Sequence, residues 1–120
     1  MNTLRVGIAS REVYKKRTLA IAKGEYVPAK GEPKVWFESL GALSQVLSDQ
    51  NRNLLKLIME TRPQSLTELA ESSGRATSNL SRTLRTMERY GLVHFEQGPN
   101  RQLVPHVNYT GVELEMSFQN

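Results

Sequence analysis

With 120 residues, 38% of them apolar and 7% aromatic, the chain has material for one modest core: one domain carrying an extension, not two domains. The absence of cysteine excludes disulfides and thiol-based redox or metal sensing, and is compatible with a reducing compartment. A net charge of +4 and a pI near 9.6 fit a polyanionic partner, and equally fit surface lysine that serves only solubility. No run approaches the ~18 consecutive apolar residues of a membrane span. The opening MNTLRVGIAS lacks the charged start and long apolar region of a secretory signal. The expected location is the cytoplasm, with no membrane partner.

Taken in order, Thr3 to Ala9 alternates Leu4, Val6 and Ile8 on one face, a strand pattern. Ser10 can cap a helix running from Arg11 to about Gly24. That helix carries Arg11, Lys15, Lys16, Arg17 and Lys23, either a solvated face or a phosphate-touching one. Its apolar residues Val13, Tyr14, Leu19, Ile21 and Ala22 are too scattered for one tight stripe, so a broad buried face shared with a second subunit is the simplest expectation. Tyr26 to Pro33 is a loop by its Pro and Gly content. Lys34 to Glu38 is β-prone and is expected to pair with the first strand. Trp36 and Phe37 are read as core or interface anchors, with base stacking as the alternative.

A short helix follows Ser39, marked by Leu40, Leu43, Val46 and Leu47. Ser48 or Asp49 caps the next, whose buried side is Leu54, Leu55, Leu57 and Ile58 and which Pro63 stops. The stretch Leu66 to Val93 then reads as two short helices around Gly74. Ser65 with Glu68 three positions on forms a capping-box pattern, and Leu66, Leu69 and Ala70 make the first stripe. Leu80, Leu84 and Met87 make the second. The opposite face of that second helix, about Ala76 to Tyr90, carries Ser78, Asn79, Arg82, Arg85 and Arg89 without compensating acids, Glu88 lying at its rim. Gly91 can take the left-handed conformation that closes a helix. Leu92–Glu96 and Gln102–Val107 read as two strands, with Gln97 to Arg101 as the hairpin turn and Pro105 confining the second strand to an edge. Val112, Leu114, Met116 and Phe118 alternate as a final strand. There is no internal repeat or low-complexity segment.

The LAESSG turn, the SNLSRTLRTME helix and the YGLV exit resemble the helix-turn-helix of MarR-like and ArsR-like winged-helix transcriptional regulators. The resemblance covers roughly Ser48 to Asn108. It is closest to small predicted prokaryotic regulators with an N-terminal strand-helix extension, some of which act as antitoxins. It implies an α+β, mainly α, fold: a winged helix-turn-helix over residues 39–120, preceded by a strand-helix-strand extension over 1–38 that serves as a dimerisation element. The dimer surface is expected from Leu4, Val6, Ile8, Trp36 and Phe37, or from the terminal strand.

A major groove about 12 Å wide admits one helix, whose N-terminal half reaches base edges. Ser78, Asn79 and Arg82 are therefore the expected base contacts: Arg82 can offer guanine two donors, and Asn79 can bond adenine. Thr77, Ser81 and Arg85 are better placed for phosphates. Ser65 and Thr67 open the preceding helix, whose free N–H groups suit a phosphate, although Ser65 as a structural cap is equally compatible. Arg75 in the turn is a further expected backbone contact. Asn100 and Arg101 form the wing tip, where Arg101 either meets the minor groove or backbone or stays solvated.

His94 and His106, the only histidines, lack zinc-ligand spacing and are read as β-surface residues. Ligand clusters of metal-sensing ArsR-like proteins are absent, so neither metal nor cofactor is expected. No nucleophile elbow, phosphate loop or paired-carboxylate motif is present, and no enzyme is expected. The leading function is a sequence-specific regulator of double-stranded DNA, a homodimeric repressor. The same domain could serve an antitoxin that binds a toxin protein, or a module for protein interaction alone.

Overall fold

The alternating Leu4, Val6 and Ile8 form strand β1 (Thr3–Ile8) in the computed structural model, which describes residues 2–118. Helix α1 (Arg11–Ala22), strand β2 (Val35–Phe37) and helix α2 (Leu40–Val46) follow. They are succeeded by α3 (Asp49–Thr61), α4 (Leu66–Ser73) and α5 (Thr77–Arg89), then by β3 (Val93–Gln97), β4 (Leu103–Val107) and β5 (Gly111–Met116). The described residues thus make an α+β fold of five α-helices and two small sheets. None of these helices is long and apolar enough to cross a membrane.

The chain divides into two compact units. One holds residues 3–45 and the segment from residue 111 onward. Its sheet has the order β2-β1-β5, with β1 parallel to both neighbours. Parallel partners cannot be joined by a tight turn. β1 reaches β2 through α1 and its loop, and β5 arrives from the far end of the chain. The sequence division at residue 38 leaves the terminal strand with the helical part. In the structure its six residues pair one for one with Thr3–Ile8. Both strands alternate, yet the apolar positions of β5 stay largely open, with Leu114 44% and Met116 45% exposed.

As the central strand, β1 is paired along both edges, and its alternate residues Leu4 and Val6 point to the covered face. Leu4, Val6 and Phe37 are at most 3% exposed. These three are therefore core residues, not the dimer surface expected of them; the apolar side chains this unit exposes include Tyr14 and Leu19 on α1 and Leu114 and Met116 on β5. Ser10 caps α1 by accepting from the Val13 N–H at 3.2 Å, yet no residue of α1 is fully buried. The scatter of its apolar positions accounts for this, because no single face gathers enough of them to be covered.

Trp36 stands opposite Gly7 in the β1–β2 register. A Cβ at Gly7 would lie 2.5 Å from Cζ3 and 2.6 Å from Cε3 of the Trp36 ring, so the indole lies over bare backbone that only glycine offers. The Arg17 guanidinium covers the indole at 5.1 Å from its centroid, a cation–π contact. Arg17 also pairs with Glu32 at 3.1 Å, and the Tyr26 hydroxyl donates to the same carboxylate. That hydrogen bond, ahead of the Arg17 charge, holds the Glu32 carboxyl below its usual range and raises the Tyr26 phenol.

The other unit holds Asn2 and residues 46–110. Ser48 caps α3 through the Asn51 N–H at 3.2 Å. Pro63 disfavours helical backbone in the residue before it, and Arg62 ends α3 at φ +48°. Leu54, Ile58, Leu69, Leu80, Leu84, Met87, Leu92, Val93 and Val104 are the buried apolar residues here, and Pro63 and Pro105 are fully buried beside them. Leu55 and Leu57, expected with the buried side of α3, are only half-buried.

Gly7→Ala is expected to displace the indole and cost about 1–3 kcal/mol through overpacking. Trp36 is the only tryptophan, so urea unfolding followed by its emission reads both effects: a lower midpoint and a red-shifted folded spectrum.

Candidate functional site

Helices α4 and α5 enclose a short turn built from local signals. Ser65 accepts from the Glu68 N–H at 3.0 Å, and Glu68 reaches back to the Gln64 N–H at 3.4 Å. Ser65 is 9% exposed, so its hydroxyl serves as the helix cap and is turned away from solvent. Thr67, one residue into α4, is exposed. α4 ends on Gly74 at φ +74°, a left-handed position that glycine takes without steric cost.

α5 is the most strongly two-sided helix of the chain. Leu80, Leu84 and Met87, at i, i+4 and i+7, are 0% exposed. Thr77, Ser78, Asn79, Arg82, Arg85 and Arg89 are exposed, and Ser81 is half-buried. The helix opens on Ala76, which has no capping side chain. Its first N–H groups therefore lack a side-chain acceptor, and the positive end of the dipole lies open.

The arginines of this face divide by what they touch. Among the described residues, the Arg82 guanidinium meets neither a carboxylate nor a hydrogen-bond acceptor. Arg85 donates to Glu88 at 3.1 Å and lies 4.6 Å from the Phe95 ring centroid, over β3. A face free of compensating acids was the sequence expectation; Glu88 corrects it, because a residue three positions on from Arg85 shares its side of the helix. Arg89 donates to the Thr86 hydroxyl at 3.3 Å.

Arg75 departs further from its expected role as a backbone contact. Its Nε donates to Asn79 Oδ1 at 2.7 Å, one terminal nitrogen to Asn51 Oδ1 at 3.2 Å, and the other to Thr83 Oγ1 at 3.0 Å. The guanidinium fork thus ties α3 to α5 across the turn. It also engages the Asn79 carbonyl, so the two-point contact that an asparagine can make with adenine is not open to Asn79 in this arrangement; its amide nitrogen is the group left to donate outward.

The β3–β4 hairpin is antiparallel, with Val93 opposite Val107 and Gln97 opposite Leu103. Its tip is a single 3-10 turn, Pro99–Arg101. Asn100 and Arg101 are exposed and both adopt positive φ, +58° and +61°. An L-residue held there costs on the order of 1–2 kcal/mol, and two in succession rarely occur without glycine. The hairpin also places His94 opposite His106 with Glu96 beside them, a cluster the sequence reading missed. The signal was the equal offset of the two histidines from the turn, and it becomes legible only once the register is known.

The sequence model of the HVO_A0114 family matches residues 46–114. That is more than half of the chain, which therefore belongs to this family. The match takes in all of α3 to β4 and the beginning of β5. No curated protein matches the chain.

Arg75→Ala removes three hydrogen bonds, two of them partly buried, and is expected to lower stability by about 1–3 kcal/mol in denaturant titration. Arg75→Lys keeps the charge but lacks the fork, and should recover only a minor part of the loss. Unchanged stability in both would return Arg75 to the role of a surface phosphate contact.

Proposed function

We propose that the protein is a winged-helix regulator of transcription that binds double-stranded DNA in a sequence-specific manner, with α5 in the major groove and the β3–β4 hairpin as the wing. The observation that carries this reading is the division of α5: Leu80, Leu84 and Met87 wholly buried, with Ser78, Asn79, Arg82, Arg85 and Arg89 exposed on the same short helix. Ser78 and Arg82, within its first two turns, are the base-reading residues, joined by the Asn79 amide. Thr77, Ser81, Arg85 and the uncapped start of α5 are suited to phosphates. Thr67 is exposed for the same task, and Ser65 contributes by capping α4.

Two further features support the reading. The strained hairpin tip presents Arg101 to solvent, and local backbone strain retained at a surface position is common where a side chain must be aimed. The net charge of +4 favours a polyanion. A symmetric dimer on a palindromic operator completes the proposal. Exposed Leu114 and Met116 on the edge strand β5, with Tyr14 and Leu19 on α1, supply apolar surface for it.

The test is a binding titration on a duplex selected from a random pool, against a scrambled duplex, at two salt concentrations. Log K should fall with log salt at about −0.9 per phosphate contact. Arg82→Ala is expected to cost about 1–3 kcal/mol on the selected site and to relax preference at one base pair. Arg101→Ala should weaken both duplexes evenly and lower the salt slope by about 1. Equal weakening of both duplexes by Arg82→Ala would make Arg82 a phosphate contact and remove α5 from the groove. No effect of either change would leave the cationic face a solvated one.

Arg101→Gly separates aim from strain. Glycine accepts the positive φ, so stability should hold within about 1 kcal/mol or rise, as read by thermal unfolding, while DNA affinity falls as in Arg101→Ala.

A further inference from the structure

The β3–β4 hairpin assembles three side chains that chain order separates. His94 faces His106 directly across the ladder, and Glu96, two residues beyond His94, lies on the same side of the pleat. The imidazoles stack with centroids 5.1 Å apart and planes at 14°. Both Nε2 atoms turn to one carboxylate. His106 Nε2 lies 2.7 Å from Glu96 Oε2, and His94 Nε2 lies 3.6 Å from Glu96 Oε1. One ligand atom from each of the three residues falls within 4.8 Å of the others. A tetrahedral zinc ion, with bonds of about 2.0–2.2 Å, spaces its ligands roughly 3.4 Å apart. Closing the widest of these separations to that spacing calls for an approach of at most about 1.4 Å.

A second observation concerns the orientation of one ring. The Asn108 amide nitrogen donates to the Gly91 carbonyl at 2.9 Å, which turns Oδ1 toward His94 Nδ1. That contact places the proton of the neutral ring on Nδ1 and leaves the Nε2 lone pair directed at the cluster. An oxygen acceptor on the far nitrogen is the usual outer partner of a metal-bound imidazole, fixing both its tautomer and its rotation. An ordinary surface histidine–carboxylate pair needs one ring and no such support. Here two stacked rings share one carboxylate, and one of them is held from behind.

We propose that His94, Glu96 and His106 form a binding site for a divalent transition-metal ion of the zinc class, with Asn108 as the positioning residue for His94. Two imidazole nitrogens and one carboxylate oxygen suit zinc, nickel, cobalt or copper better than magnesium or calcium. The three side chains are between 42% and 59% exposed, so water can fill the remaining coordination positions. The ion ties β3 to β4 at mid-ladder. The site shares the hairpin with the DNA-binding reading but uses none of the residues assigned there to DNA, so the two can be tested separately.

The chain has only these two histidines, so the full chain without a histidine tag reports on the site free of background. Imidazole NMR signals are followed while zinc chloride, and separately nickel chloride, is added to protein previously stripped with chelator, in the absence of DNA. Both rings are expected to respond together and to saturate at one ion per chain. His106→Ala and Glu96→Gln, confirmed folded by circular dichroism, should each weaken binding by at least about tenfold. Asn108→Ala should weaken it by about 10–100-fold, and Asn108→Asp, which keeps an oxygen at that place, should restore it. Independent responses of the two rings, or an affinity in His106→Ala and Glu96→Gln unchanged from that of the unaltered protein, would overturn the site. With no DNA present, that failure leaves the regulatory reading untouched. DNA titrations in chelator leave this one untouched in turn.

Discussion

Turning α5 by one residue about its axis, about 100°, would carry Leu84 and Met87 toward water and bring arginines toward the core. Burying each of those apolar side chains is worth about 1.5–3 kcal/mol, and an unpaired buried guanidinium costs several more. Leu80, Leu84 and Met87 are completely excluded from solvent, so the rotation of α5 has no competing solution. Ser78 and Arg82 are exposed as a consequence of that packing. Whatever the helix face recognises, its orientation comes from hydrophobic burial on the opposite side.

The polar contacts around this helix refine a position that burial has already set. Arg75 joins Asn51 on α3 to Asn79 and Thr83 on α5, so the turn is held to the helices on both sides of it. A guanidinium suits this task because its donors are coplanar and fixed in direction. Arg85 lies over Phe95 while pairing with Glu88, which connects the exposed face of α5 to the hairpin. Charge on this surface is therefore partly internal architecture. Among the described residues, the guanidinium groups of Arg82 and Arg101 stand outside it.

The hairpin concentrates the least ordinary chemistry of the chain. Its tip holds two L-residues at positive φ, and its middle holds two histidines against one glutamate. In the other unit, the Gly7–Trp36 pair shows the same economy of space. A missing Cβ on one strand admits a ring from the next, and Arg17 closes over it. Both arrangements are cross-strand, and both rest on register.

Short-range patterns were enough to read the elements and caps. Ser10, Ser48 and Ser65 cap the helices they precede, and Leu80, Leu84 and Met87 lie on the buried side of α5 as their spacing requires. These features depend on neighbours three or four residues away, where helical geometry is fixed. The pairing of the strand around Val35 with β1 was also legible from β-propensity and alternation. Other features depended on which distant residues meet. Leu4, Val6 and Phe37 look like interface residues until β5 arrives to make β1 a central strand. Arg75 looks like a free cation until Asn51, 24 residues earlier, is brought beside it. His94 and His106 have no motif spacing, because ladder register sets their separation. The sequence by itself therefore determined the local elements and the two-sidedness of α5, since both follow from periodicity along one backbone. Only the tertiary structure decided which charged and titratable groups face one another, since that follows from strand register and helix packing between segments far apart in the chain.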